Sequence, residues 1–176
     1  MGDATAHYKN LVSLGRDEFL ASAASAAFVR VRPRDASLPE AANTATIDVD
    51  YAETVEETLP LDRDLLAPAA PALEIYPLTK KPGASFPDRI TIGRTPNNDI
   101  TITDPSISRL HAYVRQDGRN WVVADGGSKN GSWLEKAALE ARKERTLTSK
   151  MILRLGDVDL QFCLARDLYA VLGGRA

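Results

Sequence analysis

Apolar and polar residues alternate with a period of two through much of the second half of the chain, and with a helical period only near its start. Leu73-Glu74-Ile75-Tyr76 opens the alternating series, Arg89-Ile90-Thr91-Ile92 and Ile100-Thr101-Ile102 continue it, and His111 to Gln116 and Asn120 to Ala124 flank Asp117-Gly118. Successive side chains of a strand point to opposite faces, so these runs predict short strands with one buried face. Asp-Gly between two of them predicts a hairpin turn of the primed type. Strands resume at Met151 to Leu155 and Val158 to Leu164, joined by the turn signal Gly156-Asp157. Between these groups, Glu135 to Glu144 is charged and rich in alanine and lysine, and is expected to be a long loop or a helical turn on the surface. Asp167 is placed to cap a last short helix running through Leu172, which Gly173-Gly174 ends. Many short strands at this spacing predict an all-β sandwich of two twisted, antiparallel-rich sheets.

The front of the chain has a different pattern. From Ala6 to Ala27, Tyr8, Leu11, Val12, Phe19, Ala23 and Ala27 recur at helical spacing, and the alanine-rich end has high helix propensity. An amphipathic helix packed on the domain or on a second copy is expected here, with binding to a separate partner as the alternative, and Gly15 is expected to divide it into two short ones. Phe28 to Arg32 alternates apolar and basic, as an exposed strand or an extended connection would. Between Pro33 and Pro71, proline, alanine and acid dominate and apolar residues are too sparse to close a core, so this segment is expected to be partly disordered. Pro60, Pro68, Pro71 and Pro77 favour extended backbone on the approach to the strands. The expected organisation is a helical segment over 1–32, an acidic linker over 33–72 and a binding domain over 73–176.

Composition bounds the function. The net charge of −2 gives no overall attraction to nucleic acid or to an anionic membrane, so neither is an expected partner. The charge is uneven, however: residues 1 to 73 hold six Lys and Arg against twelve Asp and Glu, and residues 74 to 176 hold sixteen against twelve. The single cysteine, Cys163 in Val158-Asp159-Leu160-Gln161-Phe162-Cys163-Leu164, excludes an intrachain disulfide and a multi-cysteine zinc site, and reads as a small buried apolar side chain. No apolar run approaches the roughly 20 residues that span a bilayer. Asp3, Asp17 and Glu18 put acid where a cleaved leader carries basic charge, so a cytoplasmic location is expected.

Three polar loops interrupt the strands: Gly93 to Asp99, Thr103 to Arg109 and Gly126 to Gly131. In a two-layer sandwich the connecting loops gather at its ends, where binding residues tend to lie. The loops bring a fixed cation (Arg94), a hydroxyl beside a second cation (Ser108, Arg109) and an amide that both donates and accepts (Asn130). That set suits an anion attached to an extended backbone. The expectation is that 94, 108, 109 and 130 converge on one shallow cation-lined cup. Each residue also has a plainer reading: Arg94 bracing its own loop, Ser108 in a turn announced by Asp104-Pro105-Ser106, Arg109 solvated, and Asn130-Gly131 a turn dipeptide.

Taken together, Gly93-Arg94, Asn98-Asp99-Ile100, Ser108-Arg109-Leu110-His111-Ala112, Asp125 and Ser128-Lys129-Asn130-Gly131 resemble the forkhead-associated (FHA) domain, a phosphothreonine-binding β-sandwich. The resemblance covers about Leu73 to Leu164. Arg94 can reach a phosphate oxygen or a peptide carbonyl, Ser108 can donate its hydroxyl to phosphate, and Arg109 is a second cation; the resemblance implies that Asn130 grips the ligand backbone and that phosphothreonine is preferred over phosphoserine. It also implies structural roles for Gly93, His111, Asp125 and Gly131. Lys129 stands where many relatives carry Thr or Ser, which replaces a hydroxyl with a point charge. Trp121 and Trp133 read as core.

The function expected is therefore a phosphothreonine-dependent interaction module acting in Ser/Thr kinase signalling, with phosphothreonine-containing proteins as partners and a Ser/Thr kinase upstream. Thr54 and Thr58, in the acidic segment, are candidate phosphosites through which the front of the chain regulates the domain in cis. The alternative is a phosphate-independent scaffold assembling through the sandwich and the front helix. No paired carboxylates, nucleophile-base set, nucleotide loop or metal-ligand spacing is present in the sequence, so neither an enzyme nor a cofactor is expected.

Overall fold

Among the described residues the chain forms eleven strands in two sheets, with short helices before and after them. The computed structural model describes residues 4–32, 72–84 and 86–174. In chain order the elements are α1 (Thr5–Ser13), α2 (Arg16–Ser22), β1 (Ala26–Arg32), β2 (Ala72–Pro77), β3 (Ile90–Gly93), β4 (Ile100–Thr101), β5 (Ala112–Asp117), β6 (Asn120–Asp125), β7 (Ser132–Leu134), β8 (Ala137–Ala138), β9 (Arg145–Leu147), β10 (Ile152–Leu155), β11 (Val158–Leu164) and α3 (Ala165–Val171). One sheet has the order β2-β1-β11-β10-β7-β8 and the other β4-β3-β5-β6-β9. Pairing is antiparallel in β1–β11, β10–β11 and β5–β6, whereas β3 and β4 run parallel.

The main core draws on both sheets. Phe28, Leu153, Leu155, Leu160 and Phe162 of the first meet Ile92, Ala112, Val114 and Val123 of the second, all with no exposed surface. A second cluster covers the other face of β1 and β11. Tyr8, Leu11 and Phe19 of the front helices pack with Ala27, Val29, Ile75, Cys163, Leu168 and Tyr169. Phe19 lies 5.2 Å from the Tyr169 ring, centroid to centroid. Burial pushes the Cys163 thiol up to about 11, so it stays protonated near neutrality.

Ala26 to Val29 of β1 therefore have both faces covered, with Phe28 fully buried, whereas Val31 is 58% exposed. The exposed strand or connection expected at Phe28 to Arg32 is instead an interior strand between β2 and β11. Its run Ala26-Ala27-Phe28-Val29 has no polar side to reveal a period, because alternate residues enter the two clusters. The front helix also ends early: α2 stops at Ser22, and Ala26 and Ala27 join the sheet despite their helix propensity. Gly15, at φ 105°, separates α1 from α2.

Four local expectations change. The β5–β6 turn centres one residue further on, at Gly118-Arg119, since Asp117 pairs with Asn120. Glu135 (φ 49°) and Lys136 (φ 71°) form a two-residue hairpin turn between β7 and β8, where a loop or helical turn was expected. Asp167 lies inside the first turn of α3 and donates no cap; it pairs with Lys150 at 3.5 Å. Trp121 is core, but Trp133 is only half-buried, with its ring edge against Gly131.

β1 runs antiparallel to β11, from Ala26 opposite Leu164 toward the end at which β11 begins. That end also carries the connections β3–β4, β4–β5, β6–β7 and β10–β11, so β1 delivers Arg30 among the site loops. Thr54 and Thr58 lie outside the described residues. Among the described residues, no helix is long and apolar enough to cross a membrane.

Phe28 also stacks edge-on against Phe162, 5.9 Å between centroids. Phe28→Ala is expected to cost about 3–5 kcal/mol of folding stability, as large-to-small changes at buried aromatics do. Urea unfolding measures it; an unshifted midpoint would show that β1 does not hold the core.

Candidate functional site

The loops at this end contain little regular backbone pairing, so buried side chains satisfy their backbone groups instead. Gly93 ends β3 where another backbone passes: a Cβ there would lie 2.1 Å from the Arg109 carbonyl oxygen. Arg94 N–H donates to Ser108 O at 2.9 Å, and Asn98 Nδ2 donates to Arg109 O at 2.6 Å and Thr95 O at 2.9 Å. Thr95 Oγ1 adds a bond to Arg109 O at 3.0 Å. The first loop is thereby fastened to the second, and the Arg94 side chain is left exposed. Asp99, fully buried, holds the base of the first loop by accepting from Lys80 Nζ, Lys81 N–H and Thr91 N–H, each at 2.8 Å.

His111 joins the second loop to the third. Its Nδ1 accepts from Ser108 N–H at 3.0 Å, so the proton sits on Nε2, which donates to Gly131 O at 3.0 Å. Burial lowers the pKa of this fully buried imidazole and keeps it neutral, as the two bonds require. Asp125 organises the third loop, accepting from Gly127 N–H (2.7 Å), Ser128 N–H (2.9 Å), Ser128 Oγ (2.6 Å) and Ser132 Oγ (2.5 Å). Burial pushes its carboxyl up, but those bonds outweigh burial and hold it below the ordinary value. Gly131 takes φ 82°, a conformation a Cβ would strain, and its N–H donates to Ser128 Oγ at 3.0 Å.

The result is an open depression of about 850 Å³ lined by Arg94, Ser108, Arg109 and Lys129, together with Thr95, Asn97, Leu110 and Gly127. Among the described residues, three cations and no carboxylate line it. Ser108 Oγ accepts from Lys129 N–H at 3.0 Å, which fixes the hydroxyl while leaving its own proton to donate outward. Thr95, Asn97 and Leu110 were not singled out from the sequence. Thr95 and Asn97 stood there only within the polar loop Gly93 to Asp99, and Leu110 is a 38% exposed apolar residue in a polar turn.

Asn130 departs from the expected convergence. It does not line this depression but a neighbouring cleft of about 570 Å³, with Trp133, Ile152, Arg154 and Asp157 among its other walls. Its Nδ2 donates to Ser106 O at 2.8 Å, so the amide is turned toward the second loop. The structure thus brings Arg94, Ser108, Arg109 and Lys129 together and sets Asn130 on their flank. Among the described residues, no group of three or more His, Cys, Asp and Glu could hold a metal ion.

The family model described as FHA domain matches residues 90–156. An FHA domain-containing protein of Arabidopsis thaliana is 36% identical over 81 residues, covering 46% of this chain and 20% of that one. The oxoglutarate dehydrogenase inhibitor of Corynebacterium diphtheriae is 32% identical over 102 residues, 56% of this chain and 69% of the inhibitor. The solution structure of the FHA domain of an Arabidopsis thaliana hypothetical protein has 30% sequence identity and a TM-score of 0.43, covering 53% of this chain and 74% of that one. The chain thus spans a fifth of the first relative and about two thirds of the second.

The His111 bridge makes stability depend on pH. An unfolded histidine titrates near about 6.5, whereas burial holds the folded one lower. Below about pH 6.5 the unfolded chain takes up a proton that the folded chain refuses, so stability is full above that pH and falls as pH drops toward the folded value. Each tenfold difference in proton affinity corresponds to about 1.4 kcal/mol. Urea unfolding at pH 7.5 and 5.5 is expected to show this loss, and His111→Gln to reduce it; an unchanged slope would contradict the assignment.

Proposed function

The chain belongs to the FHA domain family, and on that footing we propose that it is a phosphothreonine-dependent protein-protein interaction module acting in Ser/Thr kinase signalling in the cytoplasm. The observation that carries this reading is the depression itself, with three cations, one outward-donating hydroxyl and no carboxylate in its lining. Arg94 presents a planar fork to phosphate oxygens, Ser108 donates its hydroxyl proton, and Arg109 and Lys129 add charge. Asn130, on the flank, grips the peptide backbone by releasing Ser106 O or by using its free carbonyl. Charge-assisted bonds contribute about 1.5–3 kcal/mol each, so three supply about 4.5–9 kcal/mol, and contacts along the peptide supply the remainder of micromolar binding, about −8 kcal/mol, once association costs are met. Binding is the whole of the activity proposed. The relative that is named as an inhibitor supports action on another protein.

In the proposed regulation, phosphorylated Thr54 or Thr58 competes for the same depression. β1 reaches the end of the sandwich where the depression lies before the acidic segment begins, which supports that reading. The alternative, a phosphate-independent scaffold, draws less support: the front helices bury Tyr8, Leu11 and Phe19 against their own domain and leave Leu14 and Leu20 as their exposed large apolar residues.

Titration with a degenerate pool of phosphothreonine peptides and its unphosphorylated counterpart tests the reading. Only the phosphorylated pool is expected to bind, and Arg94→Ala and Ser108→Ala should each weaken binding by at least about tenfold, the loss of one charge-assisted bond. Equal affinity for both pools would refute the proposal. For regulation in cis, chain phosphorylated at Thr54 or Thr58 should bind the pool more weakly than unphosphorylated chain; equal binding would exclude it.

A further inference from the structure

Three of the site connections meet at Ser106, a residue outside the binding set. Its carbonyl accepts from Asn130 Nδ2 at 2.8 Å, and its hydroxyl accepts from Asp157 N–H at 3.0 Å. Gly156, at φ 56°, passes so close that a Cβ would lie 2.6 Å from the Ser106 carbonyl oxygen. Ser106 is in turn held by Asp104, whose Oδ1 accepts both Ser106 N–H at 3.0 Å and Ser106 Oγ at 2.7 Å. The other oxygen of Asp104 accepts from Arg30 Nη2 at 3.1 Å, a contact spanning 74 positions of sequence.

Arg30 comes from β1, on the far side of the acidic segment from every other residue of the site. Its side chain is 13% exposed and lies between Asp104 and Glu74, whose Oε2 is 3.7 Å from Nη1. Glu74 is itself held by Arg32 at 3.0 Å and by Tyr76 Oη at 2.8 Å. Nη1 of Arg30 is buried without a hydrogen bond. A guanidinium so placed is a poor stabiliser, because desolvation offsets much of its attraction to the carboxylates. It is well suited to fixing geometry, since Asp104 can accept from both Arg30 and Ser106 only in one position.

We propose that Arg30 is a positioning residue for the phosphopeptide site, acting through Asp104 and Ser106 on Asn130 and on the Gly156-Asp157 turn. The inference rests on the phosphothreonine-binding reading above and adds to it a dependence on β1, which lies outside the segment matched by the family model. Arg30 touches no ligand; it sets where the second loop stands relative to the third. Arg30→Met keeps the aliphatic stem and removes the tie to Asp104. Arg30→Lys keeps the charge but not the fork that reaches Asp104 and Glu74 together.

The test uses the full chain and the degenerate phosphothreonine pool. Arg30→Met is expected to weaken binding about tenfold and to shift the amide resonances of Ser106, Asn130 and Asp157 in the free protein, with Arg30→Lys intermediate. Val29→Ala, next in sequence but facing the helix-side cluster, supplies the control. It should lower the unfolding temperature without changing affinity or those resonances. If Arg30→Met does not fold, Arg30→Lys carries the comparison. In a double-mutant cycle, Arg30→Met should cost less in an Asn130→Ala background than in the wild type. Wild-type affinity retained in Arg30→Met, or an equal loss of affinity in Val29→Ala, would overturn the proposal. Should the wild-type chain bind phosphorylated and unphosphorylated pools alike, the binding reading itself fails; selective wild-type binding with an unaffected Arg30→Met removes the Arg30 inference alone.

Discussion

A neutral imidazole that accepts at one nitrogen and donates at the other sets the separation of two of the three loops that form the cup. His111 fixes Ser108 through its N–H and Gly131 through its carbonyl, each at 3.0 Å. Neither loop can move alone without leaving a buried polar group unpaired, which costs on the order of 1–3 kcal/mol. The same principle repeats at every connection: Asn98 ties the first loop to the second, Asp125 closes the third on itself, and Asp104 anchors Ser106. Irregular backbone is thereby given the fixed geometry that a strand ladder would otherwise supply.

That division of labour accounts for the chemistry of the surface. The groups that satisfy the loops are buried acceptors and donors, while the cup presents three cations and the Ser108 hydroxyl, with Thr95, Asn97 and Leu110 beside them. Arg94, Arg109 and Lys129 repel one another weakly at an exposed site, and a dianionic ligand relieves that repulsion. Ser108 links the two roles, since its backbone is bound by His111 and Arg94 while its side chain accepts from Lys129 N–H. The buried scaffold and the exposed ligand surface therefore meet in one residue.

Much of this was legible in the sequence wherever a local pattern carries the physics. Strands with one buried face announce themselves by alternation, as Ala112 to Asp117 and Ile152 to Leu155 do. β1 did not, because burial on both faces removes the alternation. The Glu135-Lys136 turn did not, because it adopts left-handed backbone without the Gly or Asn that usually marks it. The cationic residues of the cup were readable as a spaced set. Arg30 and Ser106 were not, because side-chain bonds between distant segments leave no periodic trace. Asn130 was identified as a site residue, but its side-chain direction depends on the Ser106 carbonyl and so on tertiary structure.

The central claim is that a phosphate on a threonine side chain is received by the cup formed by Arg94, Ser108, Arg109 and Lys129. Amide and side-chain resonance mapping during titration with the phosphothreonine pool tests it most directly. The account predicts the largest changes at those four residues and at Gly127, with none from the unphosphorylated pool. Changes centred on the helix-covered face, or the same map from both pools, would contradict it.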